Sequence, residues 1–97
     1  MEYEKVKKTI DFKGLSIRLY EVADVYKIPK EGLANVKAFD ANDHLVWTVE
    51  PPQSPRDSYY SIKLDTVNNI LIAYTGLSFM AKISLENGKI IDFRMIK

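Results

Sequence analysis

The sequence predicts an all-β protein made of about eight or nine short antiparallel strands in a meander. Apolar and polar residues alternate with a period of two along most of the chain, which is typical of strands with one buried face. Turn residues interrupt this alternation about every ten residues. No stretch long enough for a helix keeps the helical period without a proline, a glycine or a run of β-branched residues. We therefore expect two sheets that pack as a sandwich or as a partly closed barrel.

The first two strands are expected at residues 3–12 and 15–22, joined by a tight turn at Lys13-Gly14. Lys8 interrupts the apolar face of the first strand, which indicates an edge position where the lysine stem reaches water. Residues 23–28 either continue the second strand or form a third short one. The beginning of the chain thus predicts a hairpin with a protected outer edge.

A hairpin at residues 34–50 contains the only tryptophan of the chain and is its most regular stretch. In the second arm Leu45, Trp47 and Val49 alternate with polar or smaller residues, so they share one face of a strand. Residues 40–43 form the turn, because Asn and Asp tolerate a left-handed backbone and bond to their own backbone two residues on. We expect Trp47 to lie in the core.

The second half begins with a loop at residues 51–58, which three prolines make stiff and extended. Earlier in the chain, residues 29–32 have proline first and glycine last, a placement typical of a type I turn. Asn87-Gly88 predicts a type I′ hairpin turn, which needs positive φ at both central positions. Residues 70–74 are apolar on both faces and predict a central strand. The strands of this half are expected at residues 59–65, 70–74, 77–85 and 89–96.

Composition limits the classes of function. The 97 residues include 14 basic and 13 acidic side chains, well mixed, for a net charge of +1. Such a chain has no electrostatic footprint for nucleic acid and no basic patch for a membrane surface. It has no cysteine, no apolar stretch of membrane-spanning length, and no apolar signal-peptide core near its beginning. We expect one soluble, cytoplasmic domain over residues 1–97.

Two hairpins about 44 residues apart, starting near Lys37 and near Ala81, share the order strand, polar turn, strand. They resemble hairpins from the blades of quinoprotein-type (PQQ-like) β-propellers. The resemblance implies two blade-like sheets but not a whole propeller, because a closed ring needs four or more blades. None of the cofactor-binding positions of that family has a counterpart here, and we expect no cofactor. The matching residues are Ala38, Phe39, Asp40 and Trp47 in the first hairpin, and Ile83, Gly88 and Lys89 in the second.

Residues capable of catalysis or metal binding do not form a recognisable pattern. His44 is the only histidine and lies beside a turn, so we expect it on the surface. The aspartates are scattered and mostly lie in or next to turns, where they cap backbone N–H groups. The serines lack the context of a nucleophile, and the glycines form no phosphate loop. We expect no catalytic residue, no metal site and no enzyme.

Aromatic residues cluster in sequence around the proline loop, and tyrosine, tryptophan and arginine commonly anchor binding surfaces. Trp47, Tyr60 and Tyr74 are predicted to form an aromatic core or a platform for a ligand. Tyr59 falls on the strand face opposite Tyr60, and we expect it to be exposed. Arg56 and Tyr59 are therefore the predicted rim of a binding surface.

These observations favour a non-catalytic domain that binds another protein, with the profile of small bacterial accessory or immunity proteins. One alternative is a module for a small ligand such as a saccharide, stacked on Trp47 or Tyr59. A third is an enzyme whose residues the sequence does not reveal. Lys8 protects the first sheet edge and Arg94 and Lys97 the last, so we expect a monomer or a weak homodimer.

Overall fold

The computed structural model describes residues 5–96 and shows two four-stranded antiparallel sheets. The predicted all-β class is confirmed, and the strand count of the described chain is eight. The only helical element within these residues is one turn of 3₁₀ helix at Val25–Lys27. The strands are β1 (Val6–Phe12), β2 (Leu15–Tyr20), β3 (Val36–Phe39), β4 (Leu45–Thr48), β5 (Tyr59–Asp65), β6 (Ile70–Thr75), β7 (Phe79–Ser84) and β8 (Ile90–Met95).

Each sheet is a simple meander in which strands adjacent in sequence are adjacent in space. The first sheet has the order β1-β2-β3-β4 and the second the order β5-β6-β7-β8. The two sheets pack face to face as a sandwich, one of the two arrangements expected from the sequence. The edge position of β1 and the central position of β6 agree with the predictions from Lys8 and from the apolar run at residues 70–74.

The core lies between the inner faces of the two sheets. Ala38, Ala73 and Ala81 occupy central positions with no exposed surface, and such small side chains allow the sheets to approach closely. Larger side chains surround them and supply most of the buried apolar area. From the first sheet these are Ile17, Leu19, Val36, Trp47 and Val49, and from the second Tyr59, Ile62, Leu71 and Ile83.

Polar side chains, rather than ladder hydrogen bonds, join the edges of the sheets at β1 and β5. Asn35, just before β3, is fully buried. Its Nδ2 donates to the carbonyl oxygens of Tyr20 at 2.9 Å and of Tyr59 at 2.7 Å. Its Oδ1 accepts from the Tyr59 N–H at 3.0 Å. The Asn35 amide therefore supplies the Tyr59 backbone with the two hydrogen bonds that a neighbouring strand would otherwise provide. Lys8 Nζ also donates, to the carbonyl oxygen of Ile62 at 3.0 Å.

The opposite side of the sandwich is joined where β4 meets the turn between β7 and β8. Trp47 Nε1 donates to the carbonyl oxygen of Leu85 at 2.9 Å, which satisfies the buried indole. The Glu50 N–H donates to the carbonyl oxygen of Gly88 at 2.9 Å, and Glu50 Oε1 accepts from the Ile90 N–H at 2.8 Å. The predicted core position of Trp47 is thus confirmed.

Turn chemistry follows the sequence in most places. At residues 40–43, Asp43 has a φ of 64°, and Asp40 Oδ1 accepts from the Asn42 N–H at 2.9 Å. The turn at residues 29–32 closes with a hydrogen bond from the Gly32 N–H to the carbonyl oxygen of Pro29 at 2.9 Å. Both predicted turns are therefore confirmed.

The predicted type I′ turn at Asn87-Gly88 is wrong. Gly88 alone of the pair has a positive φ, of 74°, and its N–H donates to the carbonyl oxygen of Ser84 at 2.9 Å. The loop is longer than two residues, because β7 ends at Ser84 and β8 begins only at Ile90. Lys13 and Gly14 instead have φ of 48° and 83°, so the I′ geometry belongs to the β1–β2 hairpin.

Two other expectations about strands need correction. Residues 23–28 form no strand, because Val25–Lys27 is a 3₁₀ turn in which the Asp24 side chain accepts from the Tyr26 N–H. Leu45 is exposed rather than buried with Trp47. The register shifts between Ala38 and Phe39, so that Ala38 faces Trp47 while Phe39 faces Leu45. A β-bulge of this kind changes which face the next side chain occupies.

Part of the first predicted strand, residues 3 and 4, lies outside the described residues, and so does Lys97.

Candidate functional site

Arg56 lies on the surface of the proline loop, as the sequence predicts. Its backbone has a φ of 54°, and its N–H donates to the carbonyl oxygen of Lys30 at 3.0 Å. Its Nη1 reaches the carbonyl oxygen of Ile28 at 3.4 Å. The loop is therefore held against residues 28–30, and the Arg56 guanidinium is presented at its edge.

Tyr59 is buried, which corrects its predicted place on an exposed rim. Only 1% of its surface is exposed, and its hydroxyl donates to the carbonyl oxygen of Glu50 at 2.8 Å. Burial raises the pKa of the Tyr59 phenol, and the carboxylates of Glu50 and Asp57 raise it further. Tyr59 thus stabilises the core and does not accompany Arg56 at the surface.

A β-bulge explains the exchange of the two tyrosines. Tyr59 faces Thr75 and Ser61 faces Tyr74, so Tyr60 is the extra residue in β5. Strict alternation would place Tyr60 and Ile62 on one face. With the bulge, Tyr59 and Ile62 point inward and Tyr60 is 50% exposed.

The predicted aromatic set does not form one surface. Trp47 is buried and its indole N–H is already bonded, so it is part of the core and cannot be a ligand platform. Tyr74 is half-buried on the outer face of the second sheet, with Lys63 Nζ 5.7 Å from its ring centroid. Of Trp47, Tyr59, Tyr60 and Tyr74, Tyr60 is the one that is exposed beside the proline loop.

Tyr60 lies on the wall of an open groove where the edges of the two sheets meet. We call it the tyrosine groove and define it by Lys7, Tyr20, Val22, Val25, Ser58 and Tyr60. Its volume is about 530 Å³. The end of β2 and the 3₁₀ turn form one wall, and the beginning of β5 forms the other.

The side chains on the rim of the groove include apolar, aromatic and charged groups. Val25 is 61% exposed and Tyr26, next to it, is almost fully exposed. Lys7 Nζ donates to the carbonyl oxygen of Tyr60 at 2.8 Å and lies 5.8 Å from the centroid of its ring. Lys7 therefore stabilises the bulge that presents Tyr60, and it adds a cation–π contact to that ring.

Asp57 fixes the base of the groove from inside the molecule. It is 2% exposed, and its Oδ1 accepts from the N–H groups of Ser58 at 2.9 Å and Leu77 at 3.2 Å. Its Oδ2 has no hydrogen-bond partner among residues 5–96. A buried carboxylate of this kind joins the proline loop to the β6–β7 turn, and it keeps the capacity to accept one more hydrogen bond.

Sequence reasoning identified Asp57 only as one of several turn aspartates, and it missed Asn35 altogether. The capping role expected of such aspartates is confirmed for Asp57, which accepts backbone N–H groups. Its burial carries no local signal, since the atoms that cover it come from distant loops. Alternation puts Asn35 on the face opposite Val36 and Ala38, although its side chain, like theirs, is fully buried.

Other titratable side chains of residues 5–96 do not gather into a metal site. His44 is exposed, as predicted, with Nδ1 3.7 Å from Asp40 Oδ2. Arg18 is bonded to Asp43 at 2.6 Å and lies 4.2 Å from the Phe39 ring, and the Asp43 hydrogen bond raises its pKa. Within the described residues no three His, Cys, Asp or Glu side chains come together as metal ligands do.

No helix within residues 5–96 has the length and apolar character needed to cross a bilayer.

Comparison with known proteins yields one family. No curated protein and no solved structure matches the chain. The model of a family described as "Domain of unknown function (DUF7957)" matches residues 2–95, nearly the whole length, and the chain therefore belongs to that family.

Proposed function

We propose that this protein is a non-catalytic module that binds another protein through the tyrosine groove, in the manner of an accessory or immunity protein. One observation carries the proposal. Tyr60 and Val25 expose aromatic and apolar surface together at a groove, beside the cation Lys7, and Tyr26 and Arg56 are exposed on the adjoining 3₁₀ turn and proline loop. Tyrosine and arginine are enriched among the residues that dominate protein interfaces.

The groove is also held in place before any partner arrives. Lys7 bonds to the Tyr60 backbone on one wall, and Asp57 holds Ser58 at the base. Asn35 fixes Tyr59 directly behind them. Binding to a pre-organised surface loses less conformational entropy than binding to a mobile loop.

The charges of the groove indicate the chemistry of the partner. Glu21 borders the groove but is paired with Lys5, whose Nζ lies 3.7 Å from Glu21 Oε2. Lys7 therefore leaves a positive charge at the rim, and Arg56 adds another on the adjoining proline loop. We propose a partner protein that presents an apolar segment flanked by carboxylates, so that Tyr60 and Val25 contact the apolar part.

Affinity capture followed by calorimetry on the captured protein tests the proposal. Tyr60→Ala and Val25→Asp should each weaken binding by about 30-fold or more, as hot-spot residues do. Val67→Asp is the control, because Val67 is a valine in the β5–β6 turn that is 88% exposed and does not line the groove. It should change the dissociation constant less than about twofold. Equal binding by the groove variants and the control would refute the site.

The alternative function, binding of a saccharide, cannot use the two aromatic rings predicted for it, because Trp47 and Tyr59 are buried. Among the described residues, Tyr20 and Tyr60 line the groove and Tyr26 is exposed beside it, so a sugar would stack on these rings. Titration with glycans, followed through the NMR signals of these three tyrosines, separates this alternative from protein binding. We also propose a cytoplasmic location, which the absence of cysteine supports.

A further inference from the structure

The strand β8 forms the free outer edge of the second sheet. It is six residues long and, among the described elements, its strand neighbour is β7 alone. Ile91 and Met95 are 61% and 63% exposed on it. The edge at β4 has only four residues, and the edges at β1 and β5 are joined by lysine side chains. An uncovered edge with exposed apolar side chains is a template for a further strand.

The backbone of β8 is ready for such pairing. The Ile96 N–H donates to the carbonyl oxygen of Ser78 at 2.9 Å. Hydrogen-bonded and non-hydrogen-bonded pairs alternate in an antiparallel ladder. Met95, opposite Phe79, and Phe93, opposite Ala81, are therefore non-hydrogen-bonded pairs. Their own N–H and C=O groups point away from β7, toward the free edge.

The sequence of β8 is complementary to itself. If two copies pair antiparallel with Phe93 opposite Phe93, Asp92 of each copy faces Arg94 of the other. Ile91 of one copy then faces Met95 of the other. Both charges and both exposed apolar side chains thus meet suitable partners, as cross-strand pairs require. In the single chain Arg94 turns back to bond Asp92 within the same strand.

We propose that two copies of this chain associate through β8, centred on Phe93, so that their second sheets form one continuous sheet of eight strands. The register shift near Ile91 shortens the ladder that two copies can share, so the dimer is weak. Arg94 and Asp92 also disfavour pairing with unrelated strands, because only a strand with the reverse charge order neutralises them. This association is independent of the tyrosine groove, which lies at the β1 and β5 edges.

Exchange of charges tests the register directly. Asp92→Arg alone places two arginines opposite each other at both symmetric positions, and Arg94→Asp alone does the same with aspartates. Each variant should dimerise at least about tenfold more weakly than the natural chain by sedimentation equilibrium. A mixture of the two variants should restore the association, since every facing pair again has opposite charges. Glu86→Arg, a charge reversal in an exposed turn, is the control and should have no effect.

A cross-link tests the same geometry. Because the chain has no cysteine, Asp92→Cys and Arg94→Cys introduce single thiols. Positions 92 and 94 of two copies form a non-hydrogen-bonded pair, with Cα atoms about 4.5 Å apart, a separation that allows a disulfide. The mixed variants should form a disulfide-linked dimer under oxidation, and each alone should not.

Two results would overturn the proposal. One is a protein that stays monomeric up to about 1 mM. The other is a dimer that neither charge exchange weakens, or that the mixture does not restore. Tyr60→Ala should leave dimerisation unchanged, so loss of partner binding and loss of self-association are distinguishable.

Discussion

Tyr59 and Tyr60 show how a single bulge assigns two neighbouring, identical side chains to different tasks. Tyr59 contributes its ring to the core and its hydroxyl to the carbonyl oxygen of Glu50. Tyr60, the extra residue of β5, is turned outward and held there by Lys7. Without the bulge the assignments would be reversed, and the groove would lose its exposed aromatic ring.

Tyr59→Ala should lower the free energy of unfolding by about 3–5 kcal/mol, because it removes a buried aromatic side chain and leaves a cavity. Tyr60→Ala should lower it by less than about 1 kcal/mol, since half of that side chain is already in water. Urea unfolding of the two variants measures the difference. Similar losses in both would mean that β5 has no bulge at Tyr60.

Asn35→Leu should destabilise the protein by about 3 kcal/mol or more. The leucine keeps the volume but leaves the N–H and C=O of Tyr59 without their partner, and each buried unpaired group costs about 1–3 kcal/mol. Asn42→Leu, at an exposed turn position, is the matched control and should cost less than about 1 kcal/mol. Equal unfolding midpoints for the two variants would contradict the role of Asn35.

At the scale of the elements, two turns that both contain a glycine with positive φ differ in the side chains that pack against that glycine. Gly14 and Gly88 both have positive φ, of 83° and 74°. A Cβ atom at Gly14 would meet nothing within 4 Å, whereas one at Gly88 would lie 2.6 Å from Cε3 of Trp47. The first glycine is required by its backbone conformation alone, and the second also by the packing of β4 on the β7–β8 turn.

Gly88→Ala should therefore cost clearly more than Gly14→Ala. Backbone strain contributes about 1 kcal/mol at either position. Overpacking against Trp47 adds about 1–3 kcal/mol at Gly88 only. Thermal unfolding and Trp47 fluorescence give the two readouts, and a shifted emission spectrum is expected only for Gly88→Ala. The same loss of stability in both variants would show that the Trp47 contact is unimportant.

At the scale of the whole molecule, the stability of the fold depends on the protonation of a buried tyrosine and of two hydrogen-bonded turn aspartates. Burial raises the pKa of the Tyr59 phenol, so the folded state keeps that proton where the unfolded chain, with a pKa of about 10, releases it. The free energy of unfolding is therefore unaffected below about pH 10 and falls above it. At the acid end, the His44 N–H lowers the pKa of Asp40 and the Asn68 side chain lowers that of Asp65. Their contribution is present above about pH 4 and is lost as the pH falls further.

The stability of the protein should therefore show a plateau between these two limits, measured as the urea midpoint against pH. Tyr59→Phe should lower the urea midpoint at every pH, because the hydrogen bond to Glu50 is lost. It should also reduce the fall of the midpoint above about pH 10, which we call the alkaline limb of the curve, as the fall below about pH 4 is its acid limb. The double variant Asp40→Asn/Asp65→Asn should flatten the acid limb and leave the alkaline limb unchanged. An alkaline limb of the same slope in Tyr59→Phe would show that other groups determine it.

The features of the fold that depend on residues close together in sequence could be predicted. Alternation is a local property, and it located the strands of both sheets to within a few residues, including β5 at its full length. Asp, Asn, Gly and Pro marked the turns at residues 29–32 and 40–43, because their conformational preferences are also local. The core position of Trp47 followed from its apolar neighbours on the same strand face.

The sequence by itself thus determined the all-β class, the order of the strands, most of the turns and the burial of Trp47. Only the tertiary structure decided that Tyr60 and not Tyr59 is exposed, that Asn35 is buried between the sheets, and that Gly88 is packed on Trp47. The physical reason is the same in each case. The position of a bulge and the partner of a buried amide depend on contacts between residues that are distant along the chain, such as Asn35 with Tyr59, and no local pattern records them.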